Sequence, residues 1–119
     1  MIINPRNAMV SQTAPQIIVA NVPAQLVHGN RAEFRDNIVG LFTQGRDVVL
    51  DFSACRYADS AGLGALFTLK RIANEHRRGL FLCNLSDELI TLFELTKMDS
   101  IFDLYPSIDA AVNKMASAR

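Results

Sequence analysis

Short continuous apolar runs alternate along this chain with segments whose apolar residues recur every three to four positions, a pattern that separates buried strands from amphipathic helices. Met9 to Gln12 and Ile17 to Asn21 read as two strands joined through Thr13-Ala14-Pro15, a candidate hairpin. From about Asn30 the period lengthens: Phe34, Ile38, Leu41 and Phe42 share a helical face that should end at Gly45. Val48-Val49-Leu50-Asp51-Phe52 is nearly all apolar, as a strand covered on both faces must be. A loop from Ser53 to Ala58 leads to Asp59-Ser60-Ala61-Gly62, where a helix should start and run to about Arg78, with Gly79 as the residue that ends it. Leu80 to Cys83 predicts another buried strand. Ser86 can cap a helix that carries Asp87 and Glu88 in its first turn and turns Leu89, Leu92 and Phe93 inward. Ile101 to Tyr105 reads as a last short strand. Pro106-Ser107 then opens a terminal helix with Ile108, Ala111, Val112 and Met115 on one side.

Strands alternating with helices predict an α/β domain. The length, 119 residues, suits one domain spanning 1–119. Charge narrows the possible jobs. Twelve basic and twelve acidic residues cancel, which argues against nucleic-acid binding as the main role, since such proteins carry a basic surplus or stripe. No apolar stretch approaches the ~18 residues that a membrane-crossing helix needs, and no basic-then-apolar leader opens the chain. Cys55 and Cys83 lie in or beside apolar runs, away from any zinc-type spacing, and read as buried free thiols. A reducing cytoplasm is the expected setting, with no membrane insertion, metal or cofactor.

The segment around Ser60 carries the most information. On a helical wheel, Gly62, Ala65, Leu66, Leu69, Ile72 and Ala73 form the stripe that should face the sheet. Ser60, Leu63, Phe67, Arg71 and Asn74 fall on the other side. A serine at a helix start thus lines up with two large apolar residues outside the core stripe, the pattern of a partner surface in which Leu63, Phe67 and Arg71 take part. The alternative is that Leu63 and Phe67 tuck under the loop near His28 or against a neighbouring helix.

Ala58-Asp59-Ser60-Ala61-Gly62 also has the form of a nucleophile elbow with alanine in the first glycine position. A triad needs a histidine within hydrogen-bond reach of the serine. His76 follows sixteen residues later on the same helix, about 24 Å away at ~1.5 Å per residue. His28 precedes the serine, against the chain order of that hydrolase fold. Gly62-Leu63-Gly64 is no dinucleotide fingerprint, because the sixth position is Phe67, and there is no lysine at P-loop spacing. The chain is therefore expected not to be an enzyme. The two glycines suit a tight turn and a close approach of helix to sheet.

Asp51-Phe52-Ser53, then Tyr57-Ala58-Asp59-Ser60-Ala61-Gly62-Leu63-Gly64-Ala65-Leu66, resembles the signature of STAS domains, especially bacterial anti-sigma factor antagonists. Asn84-Leu85-Ser86, Leu92-Phe93-Glu94-Leu95-Thr96 and Phe102 are similar to that family's second half, and the resemblance covers about residues 17–112. It implies a mixed β-sheet of four to five strands with helices mainly on one face. It implies partner switching in transcription regulation and signal transduction: the unmodified protein binds an anti-sigma factor that is also a serine kinase of the GHKL type. Phosphorylation of the serine after the motif aspartate, here Ser60, ends that binding, and a serine phosphatase of the metal-dependent type restores it. Asp59 and Gly62 would support the phosphosite.

Independent chemistry agrees: a serine at a helix N-terminus is reachable, and a phosphate adds about −1.5 to −2 charges. The alternative reading is that Ser60 simply caps the helix. Two positions depart from the family pattern. Ala61 stands where relatives typically carry serine or threonine, and Ala24-Gln25-Leu26-Val27 replaces a frequent Gly-Glu-Leu-Asp. The other functional class open to a STAS domain is a scaffold subunit, attached to a phospholipid transporter or part of a stressosome-like complex.

Overall fold

The computed structural model describes residues 11–14 and 16–118. In chain order the elements are β1 (Ser11–Ala14), β2 (Ile17–Asn21), β3 (Gln25–Leu26), α1 (Arg31–Thr43), β4 (Asp47–Asp51), β5 (Tyr57–Ala58) and α2 (Ser60–Glu75). They continue with β6 (Leu80–Cys83), α3 (Asp87–Leu95), a 3₁₀ turn (Met98–Ser100), β7 (Asp103–Tyr105) and α4 (Ile108–Ser117). Five strands form one sheet in the order β1-β2-β4-β6-β7. β1 runs antiparallel to β2, and the remaining neighbours are parallel. The predicted hairpin is therefore present, its first strand continuing through Thr13 to Ala14; Met9, Val10 and Pro15 lie outside the described residues.

The central strands are apolar at every other position on both faces, which is what lets helices cover both. Ile18, Ala20, Val48, Leu50, Leu80 and Leu82 face the larger core, together with Phe34, Ile38 and Phe42 of α1, Leu66 and Leu69 of α2, and Leu89 and Phe93 of α3. Ile17, Val19, Val49 and Cys83 face the other way and receive Ala111 and Met115 of α4. Three helices lie on one face and one on the other, the mixed sheet expected of the resemblance.

The helix ends show where local chemistry departs from expectation. α1 stops as predicted, with Gly45 in the left-handed region (φ 79°). The Gly45 and Arg46 N–H groups close onto Phe42 and Leu41 carbonyls at 2.9 and 3.0 Å. α2 ends at Glu75, not near Arg78. The left-handed position falls on Arg77 (φ 56°), and the Arg77 and Arg78 N–H groups donate to Asn74 and Ala73 carbonyls. Gly79 serves another purpose. Its N–H donates to Asp47 Oδ1 (2.8 Å), and a Cβ there would lie 3.1 Å from Met115 Cε, so its bareness lets α4 close over the sheet. The last strand is also shorter than expected. Residues 98–100 coil into the 3₁₀ turn, and β7 begins at Asp103.

β3 and β5 pair in parallel as a separate two-stranded sheet, Gln25 with Tyr57 and Leu26 with Ala58. The segment from Ser53 to Ala58, expected to be a loop, thus ends in a strand. This small sheet lies over the start of α2.

Candidate functional site

α2 begins where Ala58 leaves β5. Asp59 is the cap residue, in extended conformation (φ −92°, ψ −178°), and Ser60 is the first helical residue. The Gly62 N–H donates to Asp59 Oδ1 at 2.8 Å, satisfying one of the donors that every helix start leaves open. The other carboxylate oxygen, Oδ2, accepts the His28 N–H at 3.1 Å. One side chain therefore caps α2 and ties the β3–α1 loop to it. That loop is braced from within by Asn30, whose Oδ1 accepts the Val27 N–H (2.9 Å) and whose Nδ2 donates to the Gln25 carbonyl (2.7 Å). The Gly62 N–H foremost, then the His28 and Ala61 N–H groups and the His28 charge, hold the Asp59 carboxyl below the usual carboxylate range, against an opposing pull from partial burial.

The alternative in which Ser60 caps the helix is corrected by this geometry, because Asp59 occupies the cap. Ser60 is exposed, and among the described residues its hydroxyl has no hydrogen-bond partner. Gly62 lies directly beneath β3: a Cβ at this position would run into the Leu26 carbonyl oxygen and carbon. Gly64, two residues on, has nothing within 4 Å of its missing Cβ. Only the first of the two motif glycines is demanded by space.

Leu63 and Phe67 are both at least partly exposed, but unequally. Leu63 is half-buried against the large core, whereas Phe67 stands 50 % exposed. Arg71 is exposed and pairs with Glu75 one turn later at 2.9 Å. Ser60, Leu63, Phe67 and Arg71 share one side of α2 as expected, with Leu63 as its inner margin.

Two parts of the sequence signature meet at the end of β4. Asp51 Oδ1 accepts the Ser53 N–H and Asn84 Nδ2, each at 3.0 Å, and Oδ2 accepts the Ser53 hydroxyl at 3.1 Å. The carboxylate thus sets the turn after β4 and holds Asn84, which adopts φ 61° after β6. Cys83 lies beside it, fully buried, and burial followed by the Asp51 charge pushes its thiol up to about 12. Burial likewise raises Cys55. Both thiols are free and buried, as expected.

Sequence reasoning did not single out the groove beside Ser60. A space of about 500 Å³ opens between β5 and α3, walled by Arg56, Tyr57, Asp59, Ser60, Glu88 and Leu92. Tyr57 is 54 % exposed on its rim. The available signal was the exposed Arg56-Tyr57 pair just ahead of the motif, which an apolar-period reading passes over. The histidines stay apart from Ser60: His76 Nδ1 contacts the Ile72 carbonyl (3.2 Å) at the far end of α2, and His28 approaches the site through its backbone N–H. Among the described residues no group of three or more His, Cys, Asp or Glu side chains is placed to hold a metal ion. None of the described helices is long and apolar enough to cross a membrane.

Comparison with known proteins places this geometry. The chain is 29 % identical over 106 residues to the anti-sigma-B factor antagonist of Bacillus subtilis (strain 168), covering 89 % of this chain and 96 % of that protein. Its fold is similar to that of the anti-sigma factor antagonist SpoIIAA in unphosphorylated form (TM-score 0.76, 16 % identity, 92 % and 96 % of the two chains). The phosphorylated form of SpoIIAA, from Bacillus, is similar as well (TM-score 0.68, 17 % identity, 89 % and 96 %). The fold also recurs in the murine Solute Carrier 26 family member A9 anion transporter (TM-score 0.75, 21 % identity), where it matches 97 % of this chain and 20 % of that one. The family model described as STAS domain matches residues 8–111, and the chain belongs to the STAS domain family.

Proposed function

We propose that this protein is an anti-sigma factor antagonist, a cytoplasmic binding protein without catalytic activity, switched off by phosphorylation of Ser60. The observation that carries the reading is the state of Ser60: an exposed hydroxyl, committed to no hydrogen bond among the described residues, next to a carboxylate that already does the capping. The similarity to an anti-sigma-B factor antagonist over nearly all of both chains supports the class of partner. SpoIIAA, with the same fold, exists in phosphorylated and unphosphorylated forms.

The physics of such a switch is simple. An unmodified surface of Ser60, Leu63, Phe67 and Arg71 presents an apolar centre with a polar edge. A phosphate adds about −1.5 to −2 charges at that edge. A partner carboxylate ~5 Å from it is repelled by about 3 kcal/mol per unit charge at an effective dielectric of ~20. A loss of about 1.4 kcal/mol already weakens binding tenfold, so one phosphate suffices. The partner is a GHKL-type serine kinase that is also the anti-sigma factor, and a metal-dependent serine phosphatase resets the switch.

The test is incubation with the cognate kinase and ATP, mass spectrometry, and a binding titration of bare and phosphorylated protein. Phosphate on Ser60 with at least tenfold weaker binding is expected. Phosphate on Ser53, Ser86 or Ser107 instead, or equal affinities, would overturn the reading. A second reading, a scaffold subunit joined to a transporter or a stressosome-like complex, is favoured by the fold shared with part of the anion transporter. A pull-down from the native host separates the two, yielding a small kinase in one case and a transporter ATPase or a large homologous complex in the other.

A further inference from the structure

Arg56 and Glu88 both wall the groove beside Ser60, and both also line a smaller space of about 130 Å³ under the turn after β4. They approach from opposite sides, Arg56 from the chain entering β5 and Glu88 from the first turn of α3. Neither of the two is engaged in an ion pair among the described residues. The Arg56 backbone is fixed, its N–H donating to the Ala24 carbonyl at 2.8 Å, while its side chain is exposed. A cation therefore stands rooted but uncommitted on the wall that Ser60 shares.

A phosphate on Ser60 would draw on such a cation. The Gly62 and His28 N–H groups, backbone donors near the helix start, are already taken by Asp59. Asp59 and Glu88 would both repel the new charge. Among the described residues Arg56 is the only cation on the wall of this groove, and its planar guanidinium can meet two phosphate oxygens at once.

We propose that Arg56 is the in-chain counter-ion of phosphorylated Ser60, its guanidinium drawn along the groove wall that the two residues share to hold the phosphate. This rests on the reading of Ser60 as the phosphorylation site. In the bare protein the groove is open and Tyr57 stands on its rim. In the phosphorylated protein the guanidinium lies against the phosphate on that wall, so the partner surface changes shape as well as charge. Arg56 acts here as a positioning residue.

The experiment uses the full chain with phosphoserine installed at position 60 during translation, so no kinase is required, and follows the phosphate by ³¹P NMR across pH. The charged groups facing it are Asp59 and Glu88, which raise its second pKa, and Arg56 and His28, which lower it. A His28→Gln background removes the imidazole of the neighbouring loop. Arg56→Gln should raise the phosphate pKa by about one unit, Arg56→Lys should restore part of the difference, and Glu88→Gln should lower it. Unphosphorylated wild type and Arg56→Gln should share one urea midpoint, which separates the effect from misfolding. A phosphate that titrates alike in the His28→Gln background with and without Arg56→Gln overturns the proposal. An Arg56-dependent titration in a protein whose Ser60 no kinase modifies overturns the switch reading alone. A working kinase switch with an Arg56-independent titration overturns the counter-ion alone.

Discussion

At the C-terminal end of α2, Asp47 is 1 % exposed; its Oδ1 accepts the Gly79 N–H at 2.8 Å and lies 3.9 Å from Arg78 Nε. Arg78 in turn donates to the Gly45 carbonyl at 2.7 Å, so the ends of α1 and α2 and the start of β6 are clamped together. At the N-terminal end, Asp59 accepts two backbone N–H groups, Gly62 and His28, from a half-buried position beside an open groove. The shared device is one carboxylate that ties down a backbone N–H beside a helix end. Inside the protein it freezes an interface; at the rim it holds the backbone still while leaving the neighbouring hydroxyl unoccupied. On the proposed reading of Ser60, the cap on Asp59 is what leaves that hydroxyl exposed and free for modification.

The largest effect that separates the two ends should come from Gly62. Gly62→Ala puts a methyl into the Leu26 carbonyl, and backbone cannot rotate away as a side chain does. A loss of about 3 kcal/mol is expected by urea titration. Gly64→Ala, with open space around it, should be neutral or gain up to ~1 kcal/mol from better helix propensity. Similar losses at both glycines would mean that β3 does not lie over the helix start as described.

Next in size is the buried clamp. Asp47→Ala strands the Gly79 N–H and removes the anionic neighbour of Arg78, and should cost about 2 to 3 kcal/mol. Asp59→Ala should lower the melting temperature less, because water can replace the carboxylate at an open rim. The same melts should show its pH signature. The folded state holds the Asp59 carboxyl below its unfolded value of about 3.9, so its contribution is present above that pH and is lost as pH falls through the folded pKa. Asp59→Asn should therefore flatten the acid limb of the stability curve below about pH 4 and leave neutral pH little changed. An acid limb identical to wild type would show that the carboxylate is not engaged in solution.

The two ends also differed in how much the amino-acid sequence disclosed. The core strands and the inward faces of the helices were legible because burial on both sides of a sheet leaves few polar positions, and Ile18, Val48, Leu50 and Leu82 show this directly. The stop of α2 was not. A glycine near a helix end usually marks the left-handed residue, but here Arg77 accepts that conformation and Gly79 is kept bare for Met115 and Asp47. β3 and β5 were invisible because each is two residues long with one buried side chain, Leu26 or Ala58, too short to carry a period. At the site, Ser60 and Asp59 were located by their motif, and the wheel anticipated the exposure of Phe67. The groove was missed because its walls come from β5 and α3, residues 56–60 and 88–92, whose meeting depends on tertiary packing.

The smallest expected effect is the sharpest test of the comparison. Ser60, Ser86 and Ser107 all sit at helix starts, and they differ in what their hydroxyls do. Ser86 Oγ accepts the Leu89 N–H at 3.2 Å, and Ser107 Oγ accepts the Ala110 N–H at 3.0 Å, so both are working caps. Replacing either with alanine should cost about 1 kcal/mol. Ser60 is one residue past its cap, and its hydroxyl has no partner among the described residues. Ser60→Ala should therefore stay within ~0.5 kcal/mol of wild type by urea titration, while abolishing modification by the kinase. A loss at Ser60 as large as that at Ser107 would place the hydroxyl in the helix cap. The serine would then be structural, and its replacement could no longer be read as a clean block of the switch.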